Sequence, residues 1–190
     1  CMGQSKANSG IVHAGFDAAE GTNKARFNVR GNALMPAYAA QLGVKYKNIG
    51  SLVVAFSDGD LGTLVRLKER GEKNGVPGLE LVDRLRELEP NIAEEAVGAL
   101  FAPTGGIVCP YGLTIAEIGN AMDNGARLYC NFEVTTVRRE KDSFVVGSAD
   151  GREVRGRVAV NCAGLGAGKV SALFGDDGLR IGGRRGEYLL

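Results

Sequence analysis

An α/β fold with α+β character is the architecture this sequence predicts, and three features predict it. Over the first two-thirds of the chain, helical stretches alternate with short apolar runs, as in layered α/β domains. From 127 to 156 the texture turns to β, with Lys141-Asp142 and Asp150-Gly151 at hairpin spacing, so 133–156 reads as an antiparallel meander. At 157–175 an apolar run, three glycines and a helical stretch follow one another, the strand–loop–helix order that favours an anion at a helix start.

Taken in order, residues 1–20 carry no sustained period and read as a loop of small residues. Asn23 to about Leu42 reads as a helix with an apolar set of Phe27, Leu34, Tyr38 and Leu42, strained by Gly31 and Pro36. "KYKNIGSLVVAFS" reads as one or two strands, and Asp58 as the cap of a helix that Asn74-Gly75 stops. "LELV" is a short strand and "DRLRELEP" a helical turn or two ended by Pro90. "VGALFAP" is a strand, Gly105-Gly106 a turn, and Thr114 to Asn124 a helix closed by Gly125. "RVAVNCAG" is a buried strand leading through Gly164, Gly166 and Gly168 into a helix, and "IGGRRGEYLL" is a final strand on which Glu187 and Tyr188 face opposite ways. A chain that opens in a small-residue loop and stops in an apolar strand has the look of a piece of something longer.

Composition removes several classes of function. The 23 basic and 22 acidic side chains nearly cancel and are scattered, so there is no basic face for a nucleic acid. The longest apolar runs fall far short of the roughly 20 residues that cross a bilayer, which predicts no transmembrane segment. Cys1, Cys109, Cys130 and Cys162 are far apart, which argues against a metal or dithiol motif and reads as reduced, mostly buried thiols of a cytoplasmic protein. The 29 glycines are dispersed and about twice the usual share of ~7%, which suits backbone that turns sharply or lies close to a ligand.

No simple motif is complete. A dinucleotide fingerprint would need glycine where Lys169 stands, and a P-loop would need glycine and Ser or Thr where Ala163 and Val170 stand. Arg184 and Arg185 could grip a carboxylate or phosphate, or could be a solvated pair. His13 is the single histidine, so no catalytic triad can be built from spacing, and a loop histidine with a structural hydrogen bond is the plain alternative.

Six ordered segments say more than any motif: "SKANSGIVHAGFDA" (5–18), "LEPNI" (88–92), "GGIVCPYGLT" (105–114), "NFEVTTVRRE" (131–140), "VAVNCAGLGA" (158–167) and "RRGEYLL" (184–190). In that order they resemble the FAD-dependent oxidoreductases of the D-amino-acid-oxidase superfamily, on the glycerol-3-phosphate dehydrogenase branch of the anaerobic large-subunit type. L-2-hydroxyglutarate oxidases are near relatives. The resemblance implies a partial Rossmann-like FAD-binding domain at 1–45 and 105–178, interrupted by a substrate-side mixed or antiparallel sheet at 46–104 and resumed at 179–190. It implies that Ser5, Lys6, Asn8, Ser9, Gly10, Val134, Ala163 and Gly164 meet FAD, that His13 is catalytic and that Arg184 and Arg185 bind substrate, with no metal. Implied partners are a small anionic hydroxy substrate, glycerol 3-phosphate first and a 2-hydroxy acid second, and an electron-acceptor subunit or quinone. The family's amino-terminal diphosphate-binding strand and later flavin contacts are expected outside this piece, which alone is then inactive and empty of flavin. The localisation expected is cytoplasmic, peripheral to a membrane through partners. A non-catalytic interaction module on the same fold is the rival reading.

Overall fold

The computed structural model describes residues 2–183 and Gly186, so Arg184, Arg185, Glu187 and Tyr188 lie outside the described residues. The chain forms two compact units, Ser9–Glu117 and Cys1–Asn8 with Ile118–Leu190. Helices and strands mix as the sequence predicts, and every ladder among the described residues is antiparallel.

The Ser9–Glu117 unit runs β1 (Ile11–Val12), α1 (Asn23–Gln41), β2 (Tyr46–Asn48), β3 (Ser51–Ala55), α2 (Asp58–Lys73), β4 (Glu80–Val82), α3 (Leu85–Leu88), β5 (Gly98–Ala102), β6 (Gly106–Val108) and the first turns of α4 (Pro110–Asp123). One sheet has the order β1-β6-β2 and another β3-β5-β4. The central strand β5 shows why the second sheet is covered on both faces. Its alternate residues Leu100 and Ala102 join Ala14, Ala55, Leu64, Val76 and Leu79 in the main core, while Ala99 joins Val82 and Leu85 on the other side. Leu100 is wholly buried, a position where truncation to alanine costs about 2–5 kcal/mol.

Two helices differ from their sequence expectations for local reasons. Helix α1 has the expected bounds, yet it buries Ala25, Asn32 and Ala39 and leaves Phe27, Leu34 and Tyr38 exposed. Small residues and an amide let neighbouring backbone approach where bulky side chains would hold it off. At α2 the cap is Ser57 rather than Asp58. The Ser57 Oγ accepts from the Asp60 N–H at 3.3 Å, and the Asp60 carboxylate accepts from Ser57 Oγ at 2.7 Å and the Phe56 N–H at 3.2 Å, a reciprocal capping arrangement. Those donors hold Asp60 below the ordinary carboxyl range.

The other unit holds the end of α4, the meander β7 (Val134–Glu140), β8 (Ser143–Ser148) and β9 (Glu153–Gly156), a 3-10 turn at Gly164–Gly166 and α5 (Ala167–Leu173). The order β7-β8-β9 is the expected meander, with Val145 buried at its centre. Helix α5 packs on β7, and Phe144 meets Phe174 edge-on at 5.4 Å.

Three expectations are corrected here. Residues 157–163 form no strand, and Val158 and Val160 are 78% and 80% exposed. A strand needs a neighbour to take its N–H and C=O groups, and no described sheet includes this segment. Helix α4 begins at Pro110, a turn before Thr114, because Pro suits a first helical position and Cys109 Sγ accepts from the Gly112 N–H at 3.3 Å. Cys109, Cys130 and Cys162 are exposed free thiols rather than buried ones.

Candidate functional site

Ser5, Lys6 and Asn8 lie in an exposed turn. The Lys6 and Ala7 N–H groups both donate to the Gly3 carbonyl at 3.1 Å, and Asn8 Nδ2 donates to the Gln4 carbonyl at 2.9 Å. Ser9 is exposed, while Gly10 is buried and enters β1. The Gly10 carbonyl accepts from the Val108 N–H at 2.9 Å, and a Cβ on Gly10 would stand 2.3 Å from the Val108 carbonyl oxygen. Only a glycine lets the two backbones close at this point, and its φ of +67° also suits glycine. Strand β1 then pairs Ile11 with Ile107 and Val12 with Gly106, and His13 leaves the ladder with its side chain exposed.

The backbone behind His13 is held from several directions. From α1, Asn28 Nδ2 donates to the His13 carbonyl at 2.8 Å, and buried Asn32 Nδ2 reaches the same oxygen at 3.2 Å and the Thr104 carbonyl at 2.8 Å. From α2, Asn74 Nδ2 donates to the Gly15 and Ala18 carbonyls at 3.1 and 2.9 Å, and Arg70 donates to the Asp17 carbonyl at 3.2 Å. Gly15 and Gly71 permit close approach: a Cβ on Gly15 would meet Val29 Cγ2 at 2.7 Å, and one on Gly71 would meet Phe16 Cβ at 2.7 Å. Asn28, Asn32 and Asn74 escape a motif search because they bind backbone, not ligand. Their signal in the sequence is Asn28 and Asn32 four apart in a helix, where asparagine is a poor helix former without an outside partner.

In the other unit, Val134 opens β7 opposite Ser148, with a register shift between Val134 and Thr136. A bulge of this kind turns a strand end and interrupts its ladder. The preceding turn is gripped by Arg152, which donates to the Cys130 and Asn131 carbonyls at 3.3 and 2.6 Å and lies 5.2 Å over the Phe132 ring. Asp150 pairs with Arg152 at 2.7 Å. That guanidinium first, and the Ser148 hydroxyl second, hold the Asp150 carboxyl far below its ordinary value. At the 3-10 turn, the Ala163 N–H donates to Asn161 Oδ1 at 3.2 Å, and Asn161 Nδ2 donates to the Ala167 carbonyl at 2.8 Å. Gly164 has φ +56° and nothing within 4 Å of where a Cβ would stand.

Ser9, Gly10 and His13 thus share one run in one unit, while Ser5, Lys6, Asn8, Val134, Ala163 and Gly164 lie on three segments of the other. Among the described residues, no group of three or more His, Cys, Asp or Glu side chains is placed to hold a metal, and no helix is long and apolar enough to cross a membrane.

The sequence profile described as "DAO: FAD dependent oxidoreductase" matches residues 1–190. The chain belongs to this family. Among curated DAO-like relatives, a glycerol 3-phosphate dehydrogenase of Caloramator mitchellensis is 39% identical over 188 residues, covering 97% of this chain and 39% of that protein. An L-2-hydroxyglutarate dehydrogenase of Escherichia coli K12 is 34% identical over 187 residues, covering 97% of this chain and 44% of that protein. The DAO chain therefore spans less than half the length of these relatives. Its fold matches an FAD-bound L-alpha-glycerophosphate oxidase of Mycoplasma pneumoniae with TM-score 0.84 at 24% identity, over 90% of this chain and 47% of that one. It also matches a glycine oxidase of Geobacillus kaustophilus with TM-score 0.82 at 24% identity, over 92% and 49%.

FAD is the cofactor of this family, and the residues present fit it. A nucleotide needs exposed backbone and small polar side chains. Within the unit that holds Val134, Gly164 has open space about it, the β7 ladder is interrupted and the Ser5 and Lys6 side chains are exposed, and in the other unit Ser9 is exposed, each a feature of that kind.

Proposed function

We propose that the whole protein is an FAD-dependent dehydrogenase that oxidises glycerol 3-phosphate to dihydroxyacetone phosphate, with His13 as its catalytic base. The observation that carries this reading is the 39% identity with a glycerol 3-phosphate dehydrogenase across 97% of the chain. The exposed His13 side chain on a tightly held backbone supports it. FAD would supply the acceptor for the hydride from the carbinol carbon. A ring nitrogen of the His13 imidazole would take the hydroxyl proton, and with the hydride and the proton both gone a ketone remains.

In this reading Ser5, Lys6, Asn8, Ser9, Gly10, Val134, Ala163 and Gly164 hold the cofactor. Arg184 and Arg185 bind the substrate phosphate, where a guanidinium fork suits a tetrahedral oxyanion. Residues 1–45 and 105–178 would form the flavin side, and 46–104 with 179–190 the substrate side. An electron-acceptor subunit or quinone would reoxidise the cofactor, with the protein working in the cytoplasm or at a membrane surface through that partner. Identity of 34% with an L-2-hydroxyglutarate dehydrogenase favours a 2-hydroxy acid as the second reading.

The test is spectral. The whole protein should purify yellow and bleach when glycerol 3-phosphate is added without oxygen; bleaching by L-2-hydroxyglutarate alone would transfer the assignment to the second reading. His13→Ala should slow the reduction roughly 100-fold or more while leaving FAD affinity close to that of the parent. Equal loss of both would make His13 a structural residue.

A further inference from the structure

We propose that Asn28 and Asn32 are positioning residues for His13, an inference that rests on the catalytic reading of His13 above. His13 lies one residue beyond the end of β1, where the ladder to β6 no longer constrains it. A residue in that place has two soft backbone dihedrals, and its side chain follows them. The structure answers this with side chains. Asn28 Nδ2 and Asn32 Nδ2 both donate to the His13 carbonyl, at 2.8 and 3.2 Å, so two side chains hold that one oxygen. The two asparagines are four apart on α1 and therefore share a face of the helix.

Asn32 ties this carbonyl to the rest of the unit. Its amide also reaches the Val12 carbonyl at 3.4 Å and the Thr104 carbonyl at 2.8 Å, so one side chain spans the end of β1 and the turn between β5 and β6. The Thr104 turn is itself anchored, because the Gly50 N–H donates to the Gly105 carbonyl at 2.8 Å. Two residues beyond His13, Gly15 lies against Val29, which stands on the same helix between the two asparagines. The carbonyl of His13 is thus held by α1, which Asn32 also ties to the β5–β6 turn, and the exposed imidazole is carried on a restrained backbone. A general base works only when it stands within hydrogen-bond reach of the proton it takes, and a displacement of about 1 Å can cost on the order of 100-fold in rate.

Asn28 is the residue to change, since it is only partly buried and Asn32 is buried with three acceptors. The experiment measures the anaerobic flavin-reduction rate constant of the whole FAD-loaded protein with glycerol 3-phosphate for the parent, Asn28→Leu, Asn28→Gln, His13→Ala and the double variant Asn28→Leu with His13→Ala. Asn28→Leu should slow reduction about ten-fold with an unchanged flavin spectrum and melting temperature. Asn28→Gln, which keeps the amide donor, should recover most of the rate. In the His13→Ala background Asn28→Leu should cost nothing further, because the two residues then act through one group. An equal loss in both backgrounds, or a parent-like rate in Asn28→Leu while His13→Ala is slow, overturns the inference and leaves the catalytic reading standing. A parent-like rate in His13→Ala overturns the catalytic reading and this inference with it.

Discussion

Gly10 concentrates the demands placed on the loop that carries His13. Its positive φ and the 2.3 Å separation that a Cβ would have from the Val108 carbonyl oxygen act together. Neither can be relieved without parting β1 from β6, since Val108 donates to the Gly10 carbonyl. Gly10→Ala should therefore destabilise the chain by roughly 1–3 kcal/mol, read as a shift in the urea midpoint; a parent-like midpoint would show that the two backbones have room to move. Gly164 has an equally left-handed φ of +56° with open space around it. The two glycines look alike in the sequence and differ in surroundings, one admitting a strand and the other standing in open space.

Among the elements, the β8–β9 turn offers a charge whose effect can be followed with pH. Asp150 accepts hydrogen bonds from Arg152 and Ser148, and its folded pKa lies below the ordinary 3.8. A depressed carboxyl contributes stability that is complete above its unfolded value and disappears as pH falls through the folded one. The midpoint difference between parent and Asp150→Asn should accordingly be open at pH 7, start to close below about pH 4 and vanish in stronger acid. A gap that stays constant to the lowest pH would sink this account and assign the effect to packing. The same pair steadies the turn before Val134, since Arg152 also holds the Cys130 and Asn131 carbonyls. The meander was legible in the sequence because hairpin turns and alternation are local. Ser57 as the α2 cap and Pro110 as the start of α4 are not legible in the sequence, because each depends on which nearby side chain reaches the free N–H groups, Ser57 Oγ in one case and Cys109 Sγ in the other.

At the scale of the molecule, the chain covers 39% and 44% of the two curated relatives while they cover 97% of it. The 190-residue chain expressed by itself should then purify colourless, and the whole protein should carry FAD and the visible absorbance of an oxidised flavin. A yellow 190-residue chain would show that the segments described here hold the cofactor unaided. The sequence by itself determined the family, through six segments in a set order, and the bounds of the helices and hairpins whose signals are local, α1 and the β7–β8–β9 meander among them. Only the tertiary structure decided that α1 turns Ala25, Asn32 and Ala39 inward in place of Phe27, Leu34 and Tyr38, that 157–163 forms no strand, and that Asn28 and Asn32 grip the carbonyl of His13. Those outcomes depend on which backbone lies opposite each residue, and partners 15 to 72 positions away in the chain leave no periodic trace in the sequence around it.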